Sequence, residues 1–81
     1  MGERFPEIDI TATGENIKQL MKINKLGVFD MASRLKLRST TNIYAWTQGR
    51  MVPSVDNLIK LAYLFNCTLD EIIVLKKESD K

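Results

Sequence analysis

The segment Ser39–Gly49 carries the side chains best suited to hydrogen-bonding a partner. Its serine can cap a helix and its glycine can stop one, so a helix of little more than two turns is predicted over 40–48. The large apolar residues, Ile43 and Trp46, are three positions apart and share one face, so we expect them to anchor the helix in a core. The remaining positions are small or polar, carry no formal charge and are free to face a partner: Thr40, Thr41, Asn42, Tyr44, Ala45, Thr47 and Gln48.

The sequence lacks most of the chemistry that enzymes use. It contains no histidine and one cysteine, Cys67. These counts exclude a Ser-His-Asp triad, a Cys/His zinc site and an intramolecular disulfide, so we expect no catalytic site, no metal and no cofactor. Cys67 is interpreted as a small buried thiol, and Asp70 and Glu71 as residues that cap a helix.

Positive charge is concentrated around the polar segment. Residues 15–54 contain seven basic and two acidic residues, a net charge of +5, whereas the whole chain carries +2. A basic surface beside an uncharged polar helix favours nucleic acid as the partner. A solvated basic surface with no partner is the alternative.

The chain length of 81 residues indicates one domain of modest stability, which dimerisation would supplement. No apolar run approaches the length of a membrane span. The first residues lack the positively charged segment and following apolar segment of a signal peptide. We therefore expect a cytoplasmic protein without a membrane segment.

The spacing of apolar residues and the positions of helix-capping and helix-terminating residues predict five short helices. The predicted helices span about 11–25, 28–36, 40–48, 55–65 and 69–75. Thr11 or Thr13 can cap the first and Ser54 the fourth, while Thr68 and Glu71 form a capping box for the fifth. The same patterns predict a flexible arm over residues 1–10, one domain over 11–75 and a polar tail over 76–81. Docking of Ile8 and Ile10 on the domain is the alternative for the arm.

Two apolar surfaces exceed what this small domain needs for its own core. The fourth helix is apolar on more than one face, so its surplus must be covered by the last helix or by a second subunit. Ile73, Val74 and Leu75 form a contiguous apolar end, which suggests self-association. Packing of that end on the first helix is the alternative.

The order of these features resembles the lambda-repressor and Cro type of helix-turn-helix domain, over roughly residues 14–74. The residues that carry the resemblance are Met31-Ala32 with Leu35 and Leu37, Ile43-Tyr44-Ala45-Trp46 with Gln48-Gly49, the run from Pro53 to Ala62, and Leu69-Asp70-Glu71-Ile72-Ile73. Ala32 lets a second helix cross closely. The sequence departs from the common pattern at Arg38, an extra turn residue, and at Gly27-Val28, where many members carry a serine followed by a phosphate-gripping glutamine.

The resemblance implies an all-α, compact five-helix domain whose helix-turn-helix is formed by helices 2 and 3, with the third helix in the major groove of double-stranded DNA. By position, the base contacts would be Thr40, Thr41, Asn42 and Tyr44. The phosphate contacts would be Lys18, Lys36, Arg38, Ser39, Gln48 and Arg50. Asn42 is suited to adenine, because its amide can donate and accept at once.

The implied function is sequence-specific DNA binding by a small bacterial or phage-type transcriptional regulator, most simply a repressor. It would act as a homodimer on an inverted repeat, with half-sites about 10 bp apart. No small-molecule ligand is indicated. The alternative is a protein-interaction module of the same fold, such as an antitoxin or another partner-binding subunit.

Overall fold

The computed structural model describes residues 5–77 and contains five helices within that range. They are α1 (Ile10–Ile23), α2 (Val28–Leu35), α3 (Thr41–Thr47), α4 (Val55–Phe65) and α5 (Leu69–Ile72). The predicted all-α, five-helix organisation is confirmed. Among these helices, none is long and apolar enough to cross a membrane.

One hydrophobic core joins all five helices. Each helix contributes at least one fully buried side chain, so no helix is peripheral to the core: Ile17 from α1, Met31 from α2, Ile43 and Trp46 from α3, Leu61 from α4 and Ile72 from α5. Ala32 is also buried in the middle of α2, as its small size predicts for a close helix crossing.

The packing of α1 against α3 depends on the absence of a side chain at Gly14. A Cβ at this position would overlap the Trp46 carbonyl oxygen and would lie 3.2 Å from the Gly49 amide nitrogen. Gly49 itself has a φ of +73° and stops α3 in the left-handed conformation that glycine adopts without penalty. The backbones of α1 and of the end of α3 therefore touch directly.

The start of α1 differs from the sequence prediction. The helix begins at Ile10, and the cap is Asp9, whose carboxylate accepts a hydrogen bond from the Ala12 amide at 2.9 Å. Thr13, a predicted cap, is instead buried, with 1% of its surface exposed. Its hydroxyl donates to the Val74 carbonyl and accepts from the Val74 amide, so a contact between residues 61 positions apart overrides its capping tendency.

The end of the chain also departs from prediction. The capping box of Thr68 and Glu71 is present, but α5 ends at Ile72 and does not continue to Leu75. Residues 73–75 are extended because Val74 bonds outside the helix: its carbonyl accepts from the Asp9 amide at 2.8 Å.

The predicted N-terminal arm is joined to this extended end. The Lys76 amide donates to the Glu7 carbonyl at 2.8 Å, and Ile8 and Leu75 form an antiparallel bridge. Residues 7–9 are therefore part of the domain and not a free arm. The first four residues of the predicted arm and residues 78–81 of the predicted tail lie outside the described part of the chain.

Helix α4 has the predicted bounds, and Ser54 caps it by accepting from the Asn57 amide. Its apolar residues divide between two sides of the helix. Leu58, Leu61 and Phe65 are buried, whereas Val55 and Ile59 are 69% and 55% exposed. Helix α5 does not cover this surplus.

Replacing Gly14 with alanine is expected to lower the free energy of unfolding by about 3 kcal/mol, the upper end of typical overpacking costs. Alanine favours a helix interior by about 1 kcal/mol over glycine, so propensity alone predicts the opposite sign. Chemical denaturation followed by tryptophan fluorescence measures the change.

Gly27→Ala is the matched control, because a Cβ there meets its nearest neighbour, an Asp30 carboxylate oxygen, at an ordinary 3.5 Å. It should stay within about 1 kcal/mol of the wild type. If both variants are equally stable, α1 and α3 do not depend on a side-chain-free contact.

Candidate nucleic-acid interface

Helix α3 is held by its apolar residues. Ile43 and Trp46 are buried with 0% and 1% of their surfaces exposed, which agrees with their predicted role as anchors. Ala45, which was predicted to face outward, is also buried, with 8% of its surface exposed, and belongs to the packed side. The outward surface of α3 is therefore narrower than expected.

The start of α3 is one residue later than predicted. Thr40 occupies the N-cap position without a capping side-chain hydrogen bond. Ser39, the expected cap, stands one residue earlier, and its hydroxyl accepts a hydrogen bond from the Thr41 amide at 3.3 Å. Ser39 thus supports the first turn of α3 from the loop.

Four polar side chains of α3 and its end face solvent. Thr41, Asn42, Tyr44 and Gln48 are exposed, and Thr40 is half-buried. Within residues 5–77, no hydrogen bond engages the Asn42 amide side chain, so its donor and its acceptor are both available. Thr47 is different, because its hydroxyl donates to the Ile43 carbonyl at 3.1 Å.

Basic residues border this face at both ends. Lys36 and Arg38 precede α3 and Arg50 follows it, and all three are exposed. Lys18 lies on α1, one turn beyond Gly14 and so on nearly the same helix face as the contact with α3. Among residues 5–77, an ion pair joins Lys76 to Glu7. In the same range, none of the four cations around α3 has a carboxylate partner.

The start of α2 is less suited to an anion than its position suggests. The Gly27 amide donates to the Asp30 carboxylate at 2.9 Å, so one free N–H of the helix end is already used and a negative charge stands beside it. Val28 is half-buried against the core. The serine and glutamine that many related domains carry here thus have no counterpart.

Cys67 has the properties of a structural thiol. Burial raises the pKa of Cys67, and the nearby Glu71 carboxylate raises it further. Both effects disfavour the thiolate, which is the reactive form. No cluster of residues that could hold a metal ion occurs among residues 5–77.

Two helices joined by a tight turn, the second of them exposed and polar, define a helix-turn-helix protein. The chain belongs to the helix-turn-helix domain family, whose model matches residues 14–78. The predicted membership in the lambda-repressor and Cro class is thereby confirmed.

Solved structures share the fold. The restriction-modification controller protein C.AhdI from Aeromonas hydrophila is 20% identical with a TM-score of 0.71, over 79% of this chain and 96% of that one. The DNA-binding domain of BldD is 13% identical with a TM-score of 0.69, over 82% and 94% of the two chains. A transcriptional regulator from Listeria innocua is 27% identical with a TM-score of 0.69, over 84% of this chain and 64% of that one. No curated protein matches the chain.

Two aromatic residues of α3 provide a direct test of how the helix is docked. Trp46→Ala should lower the free energy of unfolding by about 3–5 kcal/mol, because it empties a buried site. Tyr44→Ala, at a side chain that is 43% exposed, should change it by about 0.5 kcal/mol or less. Thermal unfolding by circular dichroism measures both, and equal melting temperatures would contradict the orientation of α3.

Proposed function

We propose that this protein is a sequence-specific regulator that binds double-stranded DNA with α3 in the major groove. The observation that carries the proposal is the combination on α3 of an uncharged, exposed hydrogen-bonding face and flanking cations without carboxylate partners. Neutral amide and hydroxyl side chains can read base edges, and cations are well suited to holding phosphates. On α3 the neutral side chains form the exposed face, and the cations lie at the two ends of the helix.

Asn42 is the central residue of the proposed base readout. It lies in the first turn of α3, where helix-turn-helix proteins contact base edges, and its amide can pair with adenine N6 and N7 together. Thr40 and Thr41 can place methyl groups against a thymine methyl. Tyr44 lies one turn after Thr40, where its ring can contact a base or a sugar.

Six residues are proposed to hold the phosphate backbone: Lys18, Lys36, Arg38, Ser39, Gln48 and Arg50. Arg38 and Arg50 lie at opposite ends of α3, so together they would fix its position along the groove. Because the Asp30 carboxylate occupies the start of α2, these flanking residues would replace the phosphate contact that many related domains make there.

A single α3 contacts few base pairs, so specificity requires two copies. We propose a homodimer on an inverted repeat with half-sites about 10 bp apart, and repression by occupancy of a promoter. Two proteins of similar structure support a regulatory role: C.AhdI is a restriction-modification controller protein, and the 27% identical structure from Listeria innocua is a transcriptional regulator. Selection of bound duplexes from a random pool, followed by sequencing, tests both symmetry and specificity.

A protein-interaction module is the second candidate, favoured by the exposed apolar face of α4. The two functions predict different responses to salt. The logarithm of DNA affinity should fall by about 0.9 for each neutralised phosphate per tenfold rise in salt. An apolar protein interface should hold or strengthen under the same change.

Asn42→Ala is expected to weaken binding to the selected duplex by about 5- to 150-fold, the range of one bidentate base contact. Binding to random duplex should change little, since no charge is removed. Gln19→Ala, at an exposed amide on α1, is the control and should leave both affinities unchanged. Equal losses on selected and random duplexes would exclude Asn42 from base readout. Fluorescence anisotropy at fixed salt provides the measurement.

Arg50→Ala should weaken binding to all duplexes alike and reduce the slope of log affinity against log salt by about one unit. Lys77→Ala removes the same charge beyond the last helix and should leave the slope unchanged. If the two variants have the same slope as the wild type in a salt titration, Arg50 does not neutralise a phosphate.

A further inference from the structure

The outward face of α3 is made of side chains without formal charge. Every residue from Ser39 to Gly49 is uncharged. The side chains on this face are exposed or half-buried: Thr40, Thr41, Asn42, Tyr44 and Gln48. They supply amides, hydroxyls, methyl groups and one aromatic ring. A partner of this face is therefore recognised by hydrogen bonds and apolar contacts and not by an ion pair.

Packing decides which polar groups of α3 are free. The Thr47 hydroxyl donates to the Ile43 carbonyl at 3.1 Å and lies 3.3 Å from the Tyr44 carbonyl, so its proton is used inside the helix. The Asn42 side chain has no hydrogen-bond partner among residues 5–77. It stands in the first turn, which is the part of a recognition helix that meets base edges. Asn42 is thus a free group that can donate and accept at that point.

A carboxamide in the major groove fits an A·T pair better than a G·C pair. Adenine presents an acceptor, N7, beside a donor, the N6 amino group. The Asn42 amide can satisfy both, because it donates through its nitrogen and accepts through its oxygen. Guanine presents two neighbouring acceptors, N7 and O6. The amide oxygen would then face an acceptor with no proton between them.

The side chains that make the most specific contacts with G·C pairs do not occur on this face. Arginine and lysine bind guanine at two points, and aspartate and glutamate accept from the cytosine amino group. The segment from Ser39 to Gly49 contains none of these four residue types. The methyl groups of Thr40 and Thr41 add a second preference, because they can pack on the thymine methyl group that cytosine lacks. The amide and the methyl groups therefore favour the same base pairs.

We propose that the DNA site of this protein has a core of A·T pairs in each half-site, contacted by Thr40, Thr41 and Asn42. This rests on the proposed function, because only a helix in the major groove meets these base edges. The nearest arginines flank the core: Arg38 precedes α3, and Arg50 is held at its end by an amide that donates to the Ala45 carbonyl at 2.9 Å. A guanine bound by either arginine would lie at the edge of the half-site.

Base analogues in the selected duplex test the core one pair at a time. A hypoxanthine·cytosine pair has the major-groove edge of G·C but keeps the minor-groove edge of A·T. At a core pair it should lower affinity by about 5- to 150-fold, the range of one bidentate contact. Replacing adenine with 2,6-diaminopurine is the matched control, because it adds an amino group to the minor groove only and should leave affinity unchanged. Uracil in place of thymine removes one methyl group and should cost about fourfold.

These analogues separate contacts made by α3 from recognition of DNA shape. Runs of A·T pairs have a narrow minor groove that proteins can select without touching the major groove. If the enriched A·T core tolerates hypoxanthine·cytosine at every pair, α3 does not read it, and the inference is overturned. The same conclusion follows if 2,6-diaminopurine, and not hypoxanthine, abolishes binding. Fluorescence anisotropy at fixed salt measures each affinity.

A cycle of protein and base substitutions tests Asn42 itself. At the pair that Asn42 contacts, hypoxanthine·cytosine should cost Asn42→Ala little more, because the amide contact is already lost. Gln19→Ala, at an exposed amide on α1, should keep the full loss. A purely structural role of Asn42 would instead make the two losses additive. Additive losses at every core pair would therefore exclude Asn42 from contact with a base.

An arginine at position 42 should change the preferred base. In a selection from a random pool, Asn42→Arg should enrich guanine where the wild type enriches adenine, because arginine pairs with guanine O6 and N7. Gln19→Arg adds the same charge on α1 and should leave the enriched sequence unchanged. If Asn42→Arg still enriches adenine throughout the core, residue 42 does not face a base.

The selection with wild-type protein distinguishes failure of the A·T core from failure of the proposed function. A protein that enriches no sequence and binds no duplex would refute the proposed function, and the core with it. A protein that binds an enriched duplex whose half-sites have G·C pairs at their centre would refute the A·T core alone. Enriched half-sites with A·T pairs at the centre are the expected result.

Discussion

The direct contact between the backbones of α1 and the end of α3 is the constraint on which the rest of the structure depends. At seven residues, α3 is too short and too polar to be stable by itself. It persists because Ile43 and Trp46 enter the core and because Gly14 lets α1 approach the Trp46 carbonyl without an intervening side chain. Tight packing on the buried side of α3 thus offsets the free-energy cost of exposing its polar side.

That packing also decides which side chains remain outside. With Ile43, Ala45 and Trp46 inward, the first turn of α3 and Tyr44 must point outward, and the left-handed turn at Gly49 directs the chain away toward Arg50. Asp30 adds a second constraint, since its carboxylate occupies the start of α2. Any anion drawn to this face therefore meets the cations around α3 and not the end of α2. The position of the acidic helix cap therefore determines where positive charge remains available on this surface.

Local signals in the sequence predict most of the fold and fail where distant residues compete. The bounds of α4 and the capping box of α5 were predictable, because Ser54, Thr68 and Glu71 act within one turn. The start of α1 was not, since Asp9, Thr11 and Thr13 are all able to cap, and the choice is settled by the bonds of Thr13 to Val74. The same contact ends α5 early. The exposure of Val55 and Ile59 was not predicted, because α4 is apolar on more than one face and periodicity could not select its buried side.

Helix α2 connects α3 to α4. This helix packs against both α3 and α4, with Met31, Ala32 and Leu35 buried between them. The orientation of α3 relative to α4 is therefore set by a rigid, closely packed helix and not by a loop. The small size of Ala32 contributes to this arrangement, because it brings the helices close together within one subunit.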